Sequence, residues 1–386
     1  MGTTIKREDV STSLVRQSKM AYDIVEAVFN HVGECWDALS MRDIYDAQEI
    51  IITGCGDSYC AAIATKPLFE QMCKVPVRAM RCIEVSRNMD KRAFGYANGT
   101  PLVIAISVTG TVSRGVEALQ RANKYGANTL AITDNPDSPL GQTAKHVVHV
   151  GLPVGVEYGP GANSYNGSLL GLMALAIRMG RVKNNISEET MFAMRDSILE
   201  YAKACQQEMD RIAEQAFDIA LRWRKLKAID FIGDYGDYAT AFFGSAKVLE
   251  TYGGYTTYDD SEDWCHINFF IRDTKNIGRV VIANGETPSY NRLKETMWAI
   301  EQLQSPCMVV TDMPASEFPA SFDVVTFPKA PHTWLYPLMQ HFAFDLVAGY
   351  IEAIEEIPQF RADMEEFHQD NTEDEFRIRS SNIQLD

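Results

Sequence analysis

The sequence predicts an α/β fold, with two tandem doubly wound parallel-sheet domains between an N-terminal helical leader and a C-terminal helical tail. Short apolar runs alternate with helix-length segments, the pattern of a parallel sheet that is covered on both faces. The same order of elements occurs twice along the chain, which indicates two copies of one unit. With 386 residues, the chain is long enough to bury two cores of ordinary size.

The repeat places the domain boundaries. We expect a helical leader over residues 1–45, a first domain over 46–182, a linker helix over 183–226, a second domain over 227–350 and a tail over 351–386. Apolar residues at helical spacing support the leader, namely Leu14, Ala21, Val25, Val28 and Val32.

Five short apolar strands are predicted in the first domain, each ending in a turn or leading into a helix. The strands fall near residues 49–53, 75–77, 102–106, 129–133 and 147–152, and the helices near 61–72, 115–125 and 162–180. When the two domains are aligned so that Gly236 matches Gly56, Glu250 also matches Glu70. Three further stretches match in the same order: 104–107 on 281–284, 131–134 on 309–312 and 150–153 on 325–328.

Composition excludes several classes of protein. A formal charge of −16 argues against nucleic acid or an anionic membrane as the main partner. The eight cysteines form no CxxC pair, so we expect thiols of a reducing compartment and predict no metal and no cofactor. A polar N-terminus without a secretory signal, and no apolar run near the roughly 20 residues that span a bilayer, predict a cytoplasmic protein.

Hydroxyl groups follow two strands of the first domain, at the sheet edge where ligands of open α/β sheets bind. Each turn opens a helix, whose unpaired N–H groups and dipole favour an anion such as a phosphomonoester. The alternative is that these side chains only cap helices. The predicted phosphate-binding residues are Gly56, Asp57 and Ser58 after the first strand, and Ser107, Thr109, Gly110, Thr111 and Ser113 after the third.

The matching turn of the second domain, Asn284–Pro288, has a glutamate and a proline and makes a poor phosphate cradle. That domain instead offers Glu250 near the end of a helix, and His266 delivered by a polar loop after Gly253. A carboxylate and an imidazole are suited to proton transfer near neutral pH. A solvated glutamate and a structural histidine are the alternatives.

Two further residues are weaker candidates for sugar contact. Ser164 lies in the turn 160–166 and could equally cap the helix that follows. His332 follows Pro331 and could equally be a structural histidine.

These residues resemble the sugar isomerase (SIS) family over about residues 46–350. More closely, the chain is similar to the isomerase domain of glucosamine-6-phosphate synthases and to the fructosamine-6-phosphate deglycases, which act on fructoselysine or fructose-asparagine compounds. The first turn, 54–59, resembles the family's G-x-S turn, and 107–110 its S-x-S-G phosphate loop. Glu250 and His266 fall on the family's catalytic glutamate and histidine. The resemblance implies a homodimer whose active sites are shared between subunits.

Some positions depart from the family pattern. Val112 stands where the family usually has threonine, and Ile267-Asn268 follow the histidine where Gly-Pro is usual. The acidic tail lacks the synthase's lysine motif, and the sequence has no segment like its glutaminase domain. We therefore expect no ammonia channelling, which favours the degradative relatives.

The resulting hypothesis is a deglycase that cleaves a fructosamine 6-phosphate to glucose 6-phosphate and a free amine, with His266 opening the sugar ring and Glu250 moving a proton from C1 to C2. An aminosugar-phosphate isomerase or deaminase would use the same pair, and a non-catalytic sugar-phosphate sensor would use only the binding turns. The acidic loop 259–263 suits an amine-bearing leaving group, although solvated acidic loops are common.

Overall fold

The structure is a computed structural model that describes residues 5–34, 38–95, 101–155, 157, 159–364 and 381–385. These residues form two compact units. The first-sheet unit contains the described residues within 23–155, 163–199 and 381–385. The second-sheet unit contains those within 5–22, 157–162 and 200–364, so the predicted leader is divided between the units.

The first sheet is built from five parallel strands in the order β2-β1-β3-β4-β5. Their central members are fully buried apolar runs, as expected for a sheet covered on both faces. On one face, the helix Ser113–Lys124 (α5) packs Val116, Leu119 and Ala122 against Val103 and neighbouring strand residues. The strands are β1 (Ile50–Gly54), β2 (Val77–Arg81), β3 (Leu102–Ile106), β4 (Asn128–Thr133) and β5 (His146–His149).

The second sheet has five parallel strands in the order β10-β9-β8-β6-β7. Read from the other edge, this is the strand order of the first sheet, so the repeat found in the sequence is a repeat of topology. The prediction of two tandem doubly wound sheets is confirmed. The strands are β6 (Ala228–Gly233), β7 (Tyr255–Asp259), β8 (Ile277–Ile282), β9 (Cys307–Thr311) and β10 (Asp323–Thr326).

Helices fill the connections, and several begin at side-chain caps that satisfy their first N–H groups. Thr12 caps α1, Ser40 caps α3, Ser138 caps α6 and Asp260 caps α10. None of the described helices is long and apolar enough to cross a membrane. The helices are α1 (Ser13–Lys19), α2 (Ala21–Glu34), α3 (Met41–Asp46), α4 (Asp57–Cys73), α5 (Ser113–Lys124), α6 (Pro139–Thr143), α7 (Ala162–Val182), α8 (Glu188–Trp223), α9 (Gly236–Thr251), α10 (Ser261–His266), α11 (Tyr290–Gln302), α12 (Tyr336–Met339) and α13 (Phe342–Ile354).

One sequence prediction was wrong at the level of local structure. The stretch after Gly253 is not a polar loop, because Tyr255–Asp259 pairs with β6 as an edge strand and Ser261–His266 is a short helix. An edge strand is only half-buried, so its apolar signal is weak. The repeat could have predicted this strand, because β2 occupies the corresponding position in the first sheet.

Candidate functional site

The first candidate turn joins β1 to α4 in the first-sheet unit. Gly56 is the N-cap residue, with φ +54° and ψ −126°, a conformation that glycine adopts most readily. A Cβ added to Gly54 would lie 2.6 Å from the backbone carbonyl carbon of Ser58, so the turn is tight. Asp57 is the first helical residue of α4 and Ser58 the second. As glycine has no side chain, the amide groups of this first helical turn are not bonded by a capping side chain.

The second candidate turn joins β3 to α5 in the same unit. The backbone N–H of Gly110 donates to the hydroxyl of Ser107, at 3.1 Å, and that hydroxyl can still donate its own proton. Thr109 and Thr111 share a hydrogen bond between exposed hydroxyls, with Oγ1 atoms 3.0 Å apart. Gly110 has φ +67°, and a Cβ there would lie 1.8 Å from Oγ of Ser138. The turn is therefore held in one shape before any ligand arrives.

The alternative interpretation, that these hydroxyls only cap helices, does not describe the two turns. The N-cap residue of α5 is Val112, which bonds no helix N–H through its side chain, and Ser113 is already helical. Ser164 likewise lies inside α7, where its carbonyl accepts a hydrogen bond from Ser168 at 3.2 Å. At this edge of the first sheet, α4 and α5 thus begin without side-chain caps.

Arg114 adds a positive charge beside the second turn, a residue that the sequence analysis did not select. Its guanidinium donates to the buried carboxylate of Glu117, and to the backbone carbonyl of Asn382 in the C-terminal segment. Glu117 also accepts from Arg87 at 2.9 Å and from the backbone N–H of Gln384 at 3.1 Å. Residues 381–385 are thereby anchored on α5.

The corresponding edge of the second sheet has the opposite character. Asp237, in the first turn of α9, is buried and accepts from Thr287 at 3.0 Å and from Asn284 at 3.2 Å. Asp234 accepts from Ser261, and Asp312 from the backbone N–H of Gly285. Burial raises the pKa of Asp237 to about 7, against the hydrogen bonds from Asn284 and Thr287. Carboxyl groups occupy this edge of the second sheet, where the first sheet has its hydroxyl-bearing turns.

Glu250 lies near the end of α9 and forms a salt bridge with Lys247, in which Nζ and Oε2 are 2.5 Å apart. The side chain of Lys247 is fully buried, whereas that of Glu250 is 28% exposed. The ammonium also lies 4.5 Å from the ring centroid of Phe243. Sequence reasoning missed Lys247, although a lysine on the apolar side of α9 is itself a signal. The counterpart of Lys247 in the first domain is Pro67.

His266 is the last residue of α10, and its side chain is 69% exposed. Its Nε2 lies 2.9 Å from Oε1 of Glu262, which also contacts Arg292 at 2.7 Å. The single chain therefore pairs His266 with Glu262, and Glu250 with Lys247. Joint action of His266 and Glu250 stays a prediction.

A buried network fixes the segment that carries His266. Asp230 on β6 accepts from the indole N–H of Trp264 at 2.6 Å and from the amide of Asn268 at 2.9 Å. These two donors flank His266 on either side in the sequence. Asp230 also binds Arg279, which is fully buried, so this carboxylate is neutralised where it anchors α10.

His332 is half-buried in the second-sheet unit and stacks on Trp334, with ring centroids 5.2 Å apart and an interplanar angle of 9°. Burial lowers the pKa of its imidazole. This packing suits a structural histidine, and a role in sugar contact stays a prediction. At the start of α10, Asp260 accepts from the backbone N–H groups of Glu262 and Asp263, so part of the acidic stretch serves as a helix cap.

Comparison with known proteins identifies the first half of this architecture. The family model of the SIS domain matches residues 43–178, which are thus a SIS domain. A glutamine–fructose-6-phosphate aminotransferase (isomerizing) of Halobacterium salinarum is 26% identical over 320 residues, or 81% of this chain and 50% of the relative. The glutamine–fructose-6-phosphate aminotransferase (isomerizing) of Campylobacter jejuni is 23% identical over 329 residues, or 83% of this chain and 51% of the relative. The chain spans about half the length of these curated relatives.

Solved structures extend the likeness to both sheets. The C-terminal domain of a glucosamine-fructose-6-phosphate aminotransferase from Francisella tularensis has a TM-score of 0.78 and 17% identity, and the alignment covers 92% of this chain and 100% of that one. A tagatose-6-phosphate ketose/aldose isomerase from Escherichia coli has a TM-score of 0.69 and 17% identity, covering 90% and 94%. At such identities the likeness establishes the fold, and the resemblance seen in the sequence is confirmed.

Proposed function

We propose that this chain is an enzyme that moves protons between neighbouring carbons of a sugar phosphate. The observation that carries the proposal is the Lys247–Glu250 pair, because a partly exposed carboxylate held by a buried ammonium is oriented as a base needs to be. The uncapped starts of α4 and α5, beside Ser58, Ser107 and Thr109, support a phosphate anchor. The relatives' names point to the same class, since they include sugar-phosphate isomerases and aminotransferases.

Within that class we propose cleavage of a fructosamine 6-phosphate. His266, as imidazolium, donates a proton to the ring oxygen and opens the sugar. Glu250 then removes a proton from C1 to give an enaminol, and returns it to C2. Water adds to the resulting C1 imine, which releases the amine and leaves glucose 6-phosphate. The acidic residues around His266, Glu262 and Asp263 among them, favour a substrate with a cationic amine.

We further propose a homodimer whose two sites are shared between subunits. The support is the exposure of His266 at the end of α10, where the imidazole is available to a second copy. Its pairing with Glu262 within one chain is an exposed ion pair, which contributes little energy and is readily exchanged for another partner.

The decisive experiment compares three substrates in D₂O: fructoselysine 6-phosphate, glucosamine 6-phosphate and fructose 6-phosphate. Release of glucose 6-phosphate, followed with a coupled dehydrogenase, is expected from the first alone. Deuterium should appear at C2 of the product, because the proton held by the partly exposed Glu250 exchanges with solvent before it is returned. Glu250→Gln should lose about 10²–10⁴ in kcat while it still binds glucose 6-phosphate.

Turnover of glucosamine 6-phosphate alone would show that the protein is a deaminase or isomerase and not a deglycase. Binding of the sugar phosphates without any deuterium exchange would show that it is a sensor and not an enzyme. A glucosamine-6-phosphate deaminase from Thermotoga maritima shares the fold, with a TM-score of 0.61 at 15% identity, which is why this substrate belongs in the comparison.

A further inference from the structure

Cys55 and Cys82 lie side by side at the carboxyl edge of the first sheet. The parallel register pairs Gly54, the last residue of β1, with Arg81, the last residue of β2. Cys55 and Cys82 directly follow these two residues in the sequence. Neighbouring strands are about 4.8 Å apart, which falls within the Cα spacing that a disulfide requires. Both cysteines are free thiols, and each is close enough to the other to shift its pKa.

The two thiols differ in environment in the way that an oxidation site requires. Cys55 is exposed and Cys82 is buried. The hydrogen bond from Cys82 lowers the pKa of Cys55, and the nearby charge of Arg114 lowers it further, against desolvation. The same hydrogen bond and burial raise the pKa of Cys82. The thiolate therefore forms first on the sulfur that an oxidant can reach.

Both sulfurs adjoin the candidate phosphate turns. Cys55 lies between Gly54 and Gly56 in the first turn. Sγ of Cys82 lies 3.9 Å from the position of a Cβ added to Gly115, in the first turn of α5, and accepts from the hydroxyl of Thr53 at 3.6 Å. A change in the bonding of either sulfur therefore acts on the turn that opens α4.

We propose that Cys55 and Cys82 are a reversible oxidation site, and that their disulfide weakens anion binding at the neighbouring turns. The weakening of binding rests on the proposed function, whereas formation of the disulfide does not. With a peroxide as oxidant, the Cys55 thiolate attacks one oxygen and the O–O bond breaks, giving a sulfenic acid and, after proton uptake, water. The Cys82 sulfur then attacks the sulfenic sulfur, and the S–O bond breaks as a second water leaves. Both sulfurs are oxidised, the peroxide is reduced, and a small thiol reverses the change.

The turn must move when the disulfide forms. Two thiol sulfur atoms in contact are well over 3 Å apart, whereas a disulfide holds them at about 2.05 Å. The backbone at Gly56 has open space around it, since no atom lies within 4 Å of an added Cβ, and it can follow Cys55. Its displacement withdraws the first amides of α4 from a bound phosphate. By reciprocity, a bound phosphosugar should disfavour the disulfide over the two thiols at equilibrium.

The test treats the full-length protein with hydrogen peroxide, alkylates the remaining thiols and maps the peptides by mass spectrometry. The expected product is one cross-linked peptide pair joining Cys55 to Cys82, which a reductant separates. Titration with glucose 6-phosphate should show at least about tenfold weaker binding to the oxidised protein, the loss of one hydrogen bond to a charged group. Cys265→Ser, which removes a half-buried thiol of the other unit, should leave the cross-link unchanged.

Cys82→Ala provides the second variant, in which Cys55 should stop at a sulfenic acid that dimedone traps. Absence of the cross-link in the wild type, or dimedone labelling of Cys55 there, would overturn the oxidation site. A cross-link that leaves glucose 6-phosphate affinity unchanged would overturn its effect on binding. Failure of the reduced protein to bind any phosphosugar would instead overturn the proposed function, and the cross-link would be judged by the peptide map alone.

Discussion

Lys247 and Glu250 form a salt bridge within α9 in which the ammonium is buried and the carboxylate is partly exposed. The two partners therefore respond differently to removal of the other. A buried ammonium without its counter-ion cannot be hydrated, whereas an exposed carboxylate can. This asymmetry makes it possible to separate the structural from the catalytic contribution of the pair.

Glu250→Ala should destabilise the protein more than Lys247→Met does. We expect the free energy of unfolding to fall by about 3 kcal/mol in Glu250→Ala, because the buried ammonium loses its partner. Lys247→Met should cost less but lower kcat by about 10², because the base loses its orientation. Urea unfolding and steady-state kinetics measure the two effects. Lys66→Met is the matched control, since Lys66 and Glu70 form an exposed pair at 3.3 Å in the first-sheet unit. Equal stability of Glu250→Ala and Lys247→Met would contradict the asymmetry.

Mixing two inactive variants tests the shared site. Glu250→Gln and His266→Ala each remove one member of the proposed pair, so each homodimer should be inactive. After unfolding and refolding an equal mixture, half of the dimers should contain both variants and carry one intact site, which restores about a quarter of wild-type activity. The measurement is specific activity against mixing ratio. Refolding each variant alone is the control, and a mixture no more active than its components would place the two residues in one chain's site or in none.

Trp264→Phe tests whether Asp230 positions His266. The change replaces the fully buried indole by a smaller phenyl ring, so it removes the N–H that donates to Asp230 and also some packing. Loss of one hydrogen bond to a charged group should lower the free energy of unfolding by about 1–3 kcal/mol, and the lost packing adds to this. If the bond positions His266, kcat should also fall several-fold while KM stays constant. Trp298→Phe, at an exposed tryptophan, is the matched control. A fall in stability with unchanged kcat would show that the network serves the fold alone.

Asp237 should make the protein less stable as the pH rises. Its pKa is about 7 in the folded chain, against 3.8 as the ordinary value, so the folded state retains a proton that the unfolded chain releases between these values. Stability therefore falls from about pH 4 to pH 7, by as much as about 4 kcal/mol, and this group adds no further change above pH 7.

Asp237→Asn should remove most of this slope in urea unfolding followed across the same pH range. Glu352, whose pKa burial also raises to about 7, contributes a slope of the same sign. The free energy of unfolding of the double variant Asp237→Asn, Glu352→Gln should therefore change less with pH than that of either single variant. A difference in the free energy of unfolding between the wild type and Asp237→Asn that does not change with pH over this range would contradict the assignment.

The glycine and hydroxyl pattern predicted turns that the structure shows between β1 and α4 and between β3 and α5, and their phosphate-binding role stays a prediction. Gly56 and Gly110 take positive φ values, and Ser107 lies at the end of β3, because turns of this kind depend on residues adjacent in the sequence. The capping alternative could not be decided in the same way. It depended on whether the N-cap residue of α5 is Val112 or Ser113, and in the folded chain it is Val112, whose side chain caps no N–H group.

By itself, the sequence determined the two parallel sheets, the repeat that relates them and the turns that end their strands, because apolar period and glycine position act over short stretches of chain. The order of the strands within each sheet came from the tertiary structure. Tertiary structure decided which charges are neighbours. Asp230 meets Arg279 and Trp264 only when β6, β8 and α10 are assembled, and Cys55 meets Cys82 only through the register of two strands. Burial then set the properties of these groups, because desolvation and hydrogen bonding depend on atoms that are distant in the sequence.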